Sequence, residues 1–146
     1  MISKELIAEL ISVLGKDNVL TDKEDLLAYS FDATAGMPSQ NPDVVVAPCS
    51  TEDVVAIIKL ANKFNLPVYP RGSGTNLAGD TIPLYGGIVL SMLNMNKILE
   101  VDPENLTARV QPGVIIQALN DEVAEFGLIY PPDPGTVATA TMGGSV

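Results

Sequence analysis

The spacing of apolar positions changes along the chain, and these changes predict where helices and strands lie. Apolar residues recur every three or four positions over residues 2–14, which predicts an amphipathic helix that ends at Gly15. A second, weaker helix is predicted over residues 22–30. Residues 32–43 contain two prolines, one glycine and several polar side chains, which is typical of a loop.

A strand, a helix and a second strand are predicted in close succession after this loop. Residues 44–47 form a continuous apolar run, as expected of a strand that is covered on both faces. Ser50 and Asp53 predict a capping box at the start of the helix, and Asn65 is expected to end it. Residues 66–69 then form the second strand. We therefore predict a parallel βαβ unit with a right-handed crossover.

The second half of the chain has a different pattern. A strand is predicted over residues 87–92, and a hairpin with strands at 98–101 and 106–110 follows it. A helix is predicted from about residue 114 to 126, ended by a glycine. Residues 128–130 are interpreted as a short strand.

These elements predict an α+β fold, in which a small parallel βαβ lobe packs beside a mostly antiparallel α+β lobe. The predicted division is an N-terminal helical segment and loop at residues 1–43, followed by a unit at 44–146. Within that unit, the βαβ lobe is expected at 44–80 and the second lobe at 81–146. A glycine-rich loop lies at the junction of the two lobes, where ligand clefts often form.

Composition excludes several kinds of chemistry. The chain has 146 residues and a net charge of −10, which argues against a nucleic-acid-binding surface. It has no histidine and a single cysteine, so histidine acid–base catalysis and Cys-rich zinc sites are excluded within it. Redox chemistry would have to come from a cofactor. Neither a signal peptide nor a transmembrane segment is predicted, and we expect a cytoplasmic location.

The glycine-rich loop carries the most chemical information. It follows Pro70 and reads Arg71-Gly72-Ser73-Gly74-Thr75-Asn76-Leu77-Ala78-Gly79. Glycines let an anion approach consecutive backbone N–H groups without a Cβ in the way. We therefore predict that the loop binds the pyrophosphate of a dinucleotide.

Two better-known phosphate-binding loops are disfavoured. A P-loop is disfavoured because no lysine follows the glycines, and a Rossmann turn because a strand rather than a helix is predicted next. A ligand-free surface loop stays open. Arg71 could pair with a phosphate, brace the loop or form an ordinary ion pair. At about 4 Å, Asp80 would repel a phosphate by roughly 4 kcal/mol at an effective dielectric near 20, so we expect it to point away.

A second group of rigid and small residues lies near the end of the chain. A proline-rich turn is predicted at residues 131–135, and the pair Gly143-Gly144 follows after a run of small residues. Proline fixes the backbone direction, and paired glycines permit the close approach of a flat ring. The alternative is an edge strand with a flexible end.

Five motifs in order resemble the FAD-binding domain of the vanillyl-alcohol-oxidase (PCMH) type. They are Val44–Pro48 with Thr51–Val54, Pro70–Thr75, Gly113, Pro132–Gly135 and Thr141–Gly144. Within that type, the chain is most similar to the D-type subunit of glycolate oxidase and to FAD-linked D-lactate dehydrogenases. The resemblance implies that the loop wraps the FAD pyrophosphate and that the two later motifs lie along the flavin. The implied FAD-binding residues are Pro70, Arg71, Gly72, Ser73, Gly74, Thr75, Asn76, Gly79, Pro132, Asp133, Pro134, Gly135, Thr141, Met142, Gly143 and Gly144.

The resemblance also implies an activity for the complete protein. Members oxidise a 2-hydroxy acid by hydride transfer to FAD and pass the electrons to an electron-transfer flavoprotein, a quinone or a cytochrome. Thr75 stands where some members attach FAD through a histidine, so non-covalent FAD is expected. The chain is expected to be an N-terminal part, inactive alone, with the substrate domain and the catalytic base beyond it. A sugar or alcohol oxidase, a cell-wall reductase and a module that has lost its cofactor are the alternatives.

Overall fold

The computed structural model describes residues 2–146, which form two β-sheets and the helices that pack on them. The α-helices are α1 (Lys4–Leu14), α2 (Lys23–Leu27), α3 (Thr51–Lys63) and α4 (Ile116–Ala124). The strands are β1 (Val19–Leu20), β2 (Val44–Val46), β3 (Val68–Arg71), β4 (Ile88–Ser91), β5 (Ile98–Asp102) and β6 (Thr107–Val110). Short 3-10 helices lie at Lys16–Asn18, Met92–Asn94 and Met142–Gly144. The α+β prediction is confirmed.

The first sheet has the strand order β1-β2-β4-β3. Strands β2 and β3 both run parallel to β4, and Val89 of β4 lies opposite Val45 on one side and Tyr69 on the other. The two predicted strands are therefore parallel to each other, but they are not neighbours. Strand β4 lies between them. All four of its residues are buried, as expected of a central strand that is covered on both faces.

The position of β4 corrects the predicted lobe boundary at residue 80. The prediction placed residues 81–146 in an antiparallel lobe, whereas β4 belongs to the parallel sheet together with β2 and β3. Strand β1 also joins this sheet, antiparallel to β2, although it comes from the predicted helical segment at 1–43. Long-range strand pairing therefore crosses both predicted boundaries.

Both faces of the first sheet are covered. On one face, Val44 and Val46 pack against buried side chains of α1 and α3, which include Leu10 and Ile57. On the other face, Val45 packs with Val89 and Leu26, the latter from α2. Side chains alternate between the two faces of a strand, so two-sided burial accounts for the uninterrupted apolar runs in the sequence.

The start of α3 matches the sequence prediction. The Ser50 hydroxyl accepts a hydrogen bond from the backbone N–H of Asp53 at 3.1 Å, and Asp53 Oδ2 accepts one from the Ser50 N–H at 3.0 Å. The capping box is therefore complete. Asn65 adopts φ 51° just after the helix. Strand β3 then continues to Arg71, so the glycine-rich loop begins at the carboxyl end of a parallel strand.

The second sheet is the predicted hairpin of β5 and β6. Helix α4 begins two residues later than predicted because Ile115 is extended and Val114 and Ile115 both bond to the segment near residue 141. The Val114 carbonyl accepts a hydrogen bond from the N–H of Met142 at 2.8 Å, and Ile115 pairs with Thr141 in a β-bridge.

Two predictions for the following segment are wrong. Residues 128–130 form no strand, because the Tyr130 N–H donates to the side chain of Asn120 at 2.8 Å instead of to a neighbouring strand. The turn predicted at 131–135 lies later, at 135–139. Among residues 2–146, no helix is both long and apolar enough to cross a membrane.

Replacement of Ser50 by alanine should lower the free energy of unfolding by about 1 kcal/mol, because it removes the hydroxyl that caps α3. Urea unfolding followed by circular dichroism measures this. Ser39→Ala is the matched control, since Ser39 is exposed and lies outside any helix. Equal stability of the Ser50→Ala and Ser39→Ala variants would contradict the capping role.

Candidate functional site

A cleft of about 660 Å³ opens at the carboxyl end of the parallel sheet. The glycine-rich loop forms one side, and the segment from Thr141 to Ser145 lies across from it. Val54 and Ile58 of α3 and Leu90 of β4 supply an apolar wall. Ligands of open α/β sheets commonly bind at this edge.

Most of the residues predicted from the sequence line this cleft. They are Pro70, Arg71, Gly72, Ser73, Gly74, Thr75, Asn76, Pro134, Thr141, Gly143 and Gly144. Gly79, Pro132, Asp133, Gly135 and Met142 lie outside the lining. Met142 is only 6% exposed and packs in the core beside the second sheet. The fold therefore brings the two glycine motifs together, although more than sixty residues separate them in the sequence.

The loop has unused backbone donors. Among residues 2–146, no hydrogen bond is made by the backbone N–H groups of residues 73–78, whereas the N–H of Gly79 donates to Thr34 Oγ1 at 2.8 Å. Gly74 adopts φ 74°, which glycine reaches without strain. Consecutive free N–H groups in a turn form an anion-binding concavity.

Gly72 and Thr141 join the loop to the C-terminal segment. A Cβ added at Gly72 would overlap Thr141 Oγ1, so the threonine side chain lies directly against the loop backbone. Gly143 is packed in a similar way against Pro112, and its N–H donates to the Pro112 carbonyl at 2.8 Å. Glycine at these positions is thus required by close packing of the cleft walls.

Arg71 braces the loop through buried contacts. Its side chain is 7% exposed, and Nη1 donates to the Phe31 carbonyl at 2.7 Å and to Thr81 Oγ1 at 3.3 Å. The guanidinium also lies 5.5 Å from the centroid of the Tyr29 ring. Burial lowers the pKa of Arg71 below its ordinary value, while the charge of Asp32 opposes that shift. Of the roles that the sequence left open, bracing is the one that these contacts support.

Asp32 is a site residue that the sequence pattern did not single out. Its Oδ2 accepts a hydrogen bond from Asn76 Nδ2 at 2.8 Å and lies 3.2 Å from Thr81 Oγ1. Its Oδ1 accepts one from the Thr34 N–H at 2.9 Å. Desolvation raises the pKa of Asp32, but the hydrogen bonds from Thr34, Asn76 and Thr81 together bring it below its ordinary value.

The sequence contained only a weak signal for this role. The pair Asp32 and Thr34 is typical of a local side-chain turn, which the structure contains. The partners at 76 and 81 lie more than forty residues away, so the pattern could not reveal them. Asp80 is exposed and lines the cleft, and the expectation that its carboxylate points away from the ligand stays a prediction.

Comparison with known proteins identifies the family. A family described as an FAD binding domain matches residues 42–146. The chain belongs to this family of FAD-binding domains. FAD is therefore the cofactor of this domain, and the resemblance inferred from the motifs is confirmed.

Several named proteins are similar to this FAD-binding domain. It is 45% identical over 146 residues to glycolate oxidase subunit GlcD of Bacillus subtilis (strain 168), covering all of this chain and 31% of that protein. It is 43% identical over 122 residues to a D-lactate dehydrogenase of Archaeoglobus fulgidus, covering 82% of this chain and 27% of that protein. The chain thus spans less than a third of each of these relatives.

Solved structures share the fold. A structure of alkyldihydroxyacetonephosphate synthase has a TM-score of 0.87 and 28% identity, covering 99% of this chain and 31% of that one. A structure of p-cresol methylhydroxylase with substrate bound has a TM-score of 0.82 and 27% identity, covering 93% of this chain and 27% of that one. The arrangement of sheets and loops described above is therefore shared by the matching part of each of these proteins.

The cleft fits an FAD molecule in two respects. The free N–H groups of residues 73–76, which line the cleft, match a diphosphate, which needs several hydrogen-bond donors without a nearby side chain. The apolar wall of Val54, Ile58 and Leu90 matches the apolar faces of a flat ring. The FAD-binding domain thus combines an anion site with an apolar surface in one cleft.

An alanine at position 72 should destabilise the FAD-binding domain by about 1–3 kcal/mol, because its Cβ would overlap Thr141 Oγ1. Urea unfolding of Gly72→Ala, Thr141→Ala and the double variant gives the coupling energy between the two positions. The double variant should be about 1 kcal/mol more stable than the sum of the two single effects, because Thr141→Ala removes the atom that the new Cβ overlaps. Gly135→Ala is the stability control, since an added Cβ there meets nothing within 4 Å. Additive effects of the two substitutions would show that this contact is not tight.

Proposed function

We propose that this chain supplies FAD-binding residues to a flavin-dependent oxidoreductase that oxidises a 2-hydroxy acid of the D-lactate or glycolate type. The observation that carries the proposal is the convergence of the glycine-rich loop and the Thr141–Ser145 segment on one cleft with unused N–H donors. Bound FAD would accept the hydride that leaves the α-carbon of the hydroxy acid. The chain's own residues bind and orient the cofactor.

In this proposal, the loop from Pro70 to Asn76 holds the diphosphate. Residues 73–76, whose backbone N–H groups make no hydrogen bond among residues 2–146, line the cleft, and the Gly79 N–H donates to Thr34 Oγ1. The segments Pro132–Gly135 and Thr141–Gly144 lie along the flavin. Pro134, Thr141, Gly143 and Gly144 are the members of these segments at the cleft surface. The buried Met142 anchors its segment in the core.

The cofactor is expected to be held without a covalent bond. Thr75 occupies the loop position where the family resemblance implies a histidine in covalently linked members, and the chain contains no histidine at all. A threonine hydroxyl can donate and accept hydrogen bonds but is a poor nucleophile without an adjacent base.

Precipitation of the natural, full-length protein with acid should therefore release its flavin into the supernatant. Fluorescence of the supernatant measures the released flavin, and the pellet should carry no flavin absorbance. A pellet that stays yellow after washing with denaturant would contradict non-covalent binding.

The names of the relatives favour a 2-hydroxy acid as substrate. Glycolate oxidase subunit GlcD and D-lactate dehydrogenases from several organisms match most or all of the chain. A related protein of Arabidopsis thaliana is named D-lactate dehydrogenase [cytochrome]. A cytochrome, a quinone or an electron-transfer flavoprotein is accordingly the proposed electron acceptor. The cytoplasmic location stays a prediction from the sequence.

Addition of D-lactate or glycolate to the full-length protein without oxygen should bleach the visible absorbance of its oxidised flavin. L-lactate, a simple alcohol and a sugar are the comparison substrates. Bleaching by the alcohol or the sugar alone would favour an oxidase of that class, and a purified protein without flavin would favour a module that has lost its cofactor.

A further inference from the structure

One carboxylate contacts the glycine-rich loop at Asn76 and the chain just after the loop at Thr81. Asp32 Oδ2 accepts a hydrogen bond from Asn76 at 2.8 Å and lies 3.2 Å from the hydroxyl of Thr81. The same carboxylate is fixed in its own segment by the N–H of Thr34 at 2.9 Å. The middle of the loop is thus tied to Asp32 through Asn76, and its end is tied to Thr34, whose Oγ1 accepts a hydrogen bond from the Gly79 N–H.

The negative charge of the Asp32–Asn76 pair lies outside the cleft lining. Asn76 lines the cleft, whereas Asp32 is absent from the cleft lining of residues 2–146. Asn76, which is neutral, is therefore the member of the pair that reaches the cleft, and the charged Asp32 is not. The Arg71 guanidinium lies beside the loop backbone, because a Cβ added at Gly74 would overlap it.

We propose that Asp32 and Asn76 are positioning residues for the diphosphate of FAD. We also propose that FAD binding requires the carboxylate at position 32 and the amide at position 76, and not the reverse. The carboxylate at 32 holds the loop in the shape that presents its N–H groups. The amide at 76 makes the same hydrogen bond without a negative charge at the cleft. This inference rests on the proposed FAD site.

The geometry permits the carboxylate and the amide to exchange positions. In a variant with Asp32→Asn and Asn76→Asp, the amide introduced at 32 can donate to the carboxylate introduced at 76. The oxygen at position 32 still accepts from the N–H of Thr34, and the Thr81 hydroxyl already lies 3.3 Å from Oδ1 of residue 76. The reversed pair keeps the hydrogen bonds and moves one negative charge to the cleft surface.

The test measures unfolding free energy and ligand affinity on the natural, full-length protein after removal of its flavin. FAD binding is followed by flavin fluorescence, and riboflavin, which has no phosphate, is titrated in parallel. Asp32→Asn alone should weaken FAD binding at least about tenfold, because a charged hydrogen bond to the loop is lost. Riboflavin affinity should change by less than about twofold.

The reversed variant separates loop shape from charge. Its free energy of unfolding should return to the wild-type value, while FAD binding stays about tenfold weaker at low salt. Added salt should narrow that difference, since an exposed charge is screened over about 10 Å at 0.1 M. A merely structural role would restore FAD affinity together with stability.

Asp102 and Asn105 provide a matched control. Asn105 Nδ2 donates to Asp102 Oδ2 at 2.7 Å in the exposed hairpin turn, away from the cleft lining. Asp102→Asn, alone or combined with Asn105→Asp, should leave FAD affinity unchanged.

Three results would overturn the inference. In the first, Asp32→Asn binds FAD like the wild type. In the second, the reversed variant recovers wild-type FAD affinity. In the third, riboflavin affinity falls as much as FAD affinity. A wild-type protein that binds no FAD would overturn the proposed function itself and is recognised before any variant is made.

Discussion

The burial of Arg71 is the constraint on which the site depends. A guanidinium that leaves water must find hydrogen-bond partners, because an unpaired buried charge is strongly destabilising. Its partners are the Phe31 carbonyl and the Thr81 hydroxyl, and the guanidinium lies over the Tyr29 ring and near the charge of Asp32. These partners can be reached only if the segment around residues 29–34 packs against the back of the glycine-rich loop.

This packing explains why the loop can keep its own donors free. A loop that satisfied its N–H groups internally would have none left for a ligand. Here the side chains of Arg71, Asn76 and Thr81 hold the loop through contacts to a separate segment. The backbone N–H groups of the cleft-lining residues 73–76 are left for a ligand. Preorganised donors of this kind bind an anion without the cost of ordering the loop.

The fold around this site is shared by proteins with different named activities, among them a synthase and a methylhydroxylase. A fold therefore identifies the cofactor site here more directly than it identifies the reaction. The features derived from this chain, which are the anion-binding loop, the apolar wall and the tight glycine contacts, all concern the cofactor. The residues that would distinguish one substrate from another are not among them.

Local sequence determined the parts of the structure that depend on near neighbours. The capping box of α3, the buried runs of β2 and β4, the hairpin turn and the glycine-rich loop were all predictable, because each depends on residues a few positions apart. The tertiary structure alone decided the central position of β4, the contact of Thr141 with Gly72 and the pairing of Asp32 with Asn76. These contacts join residues more than forty positions apart, or depend on which strands pair, and no local pattern encodes either.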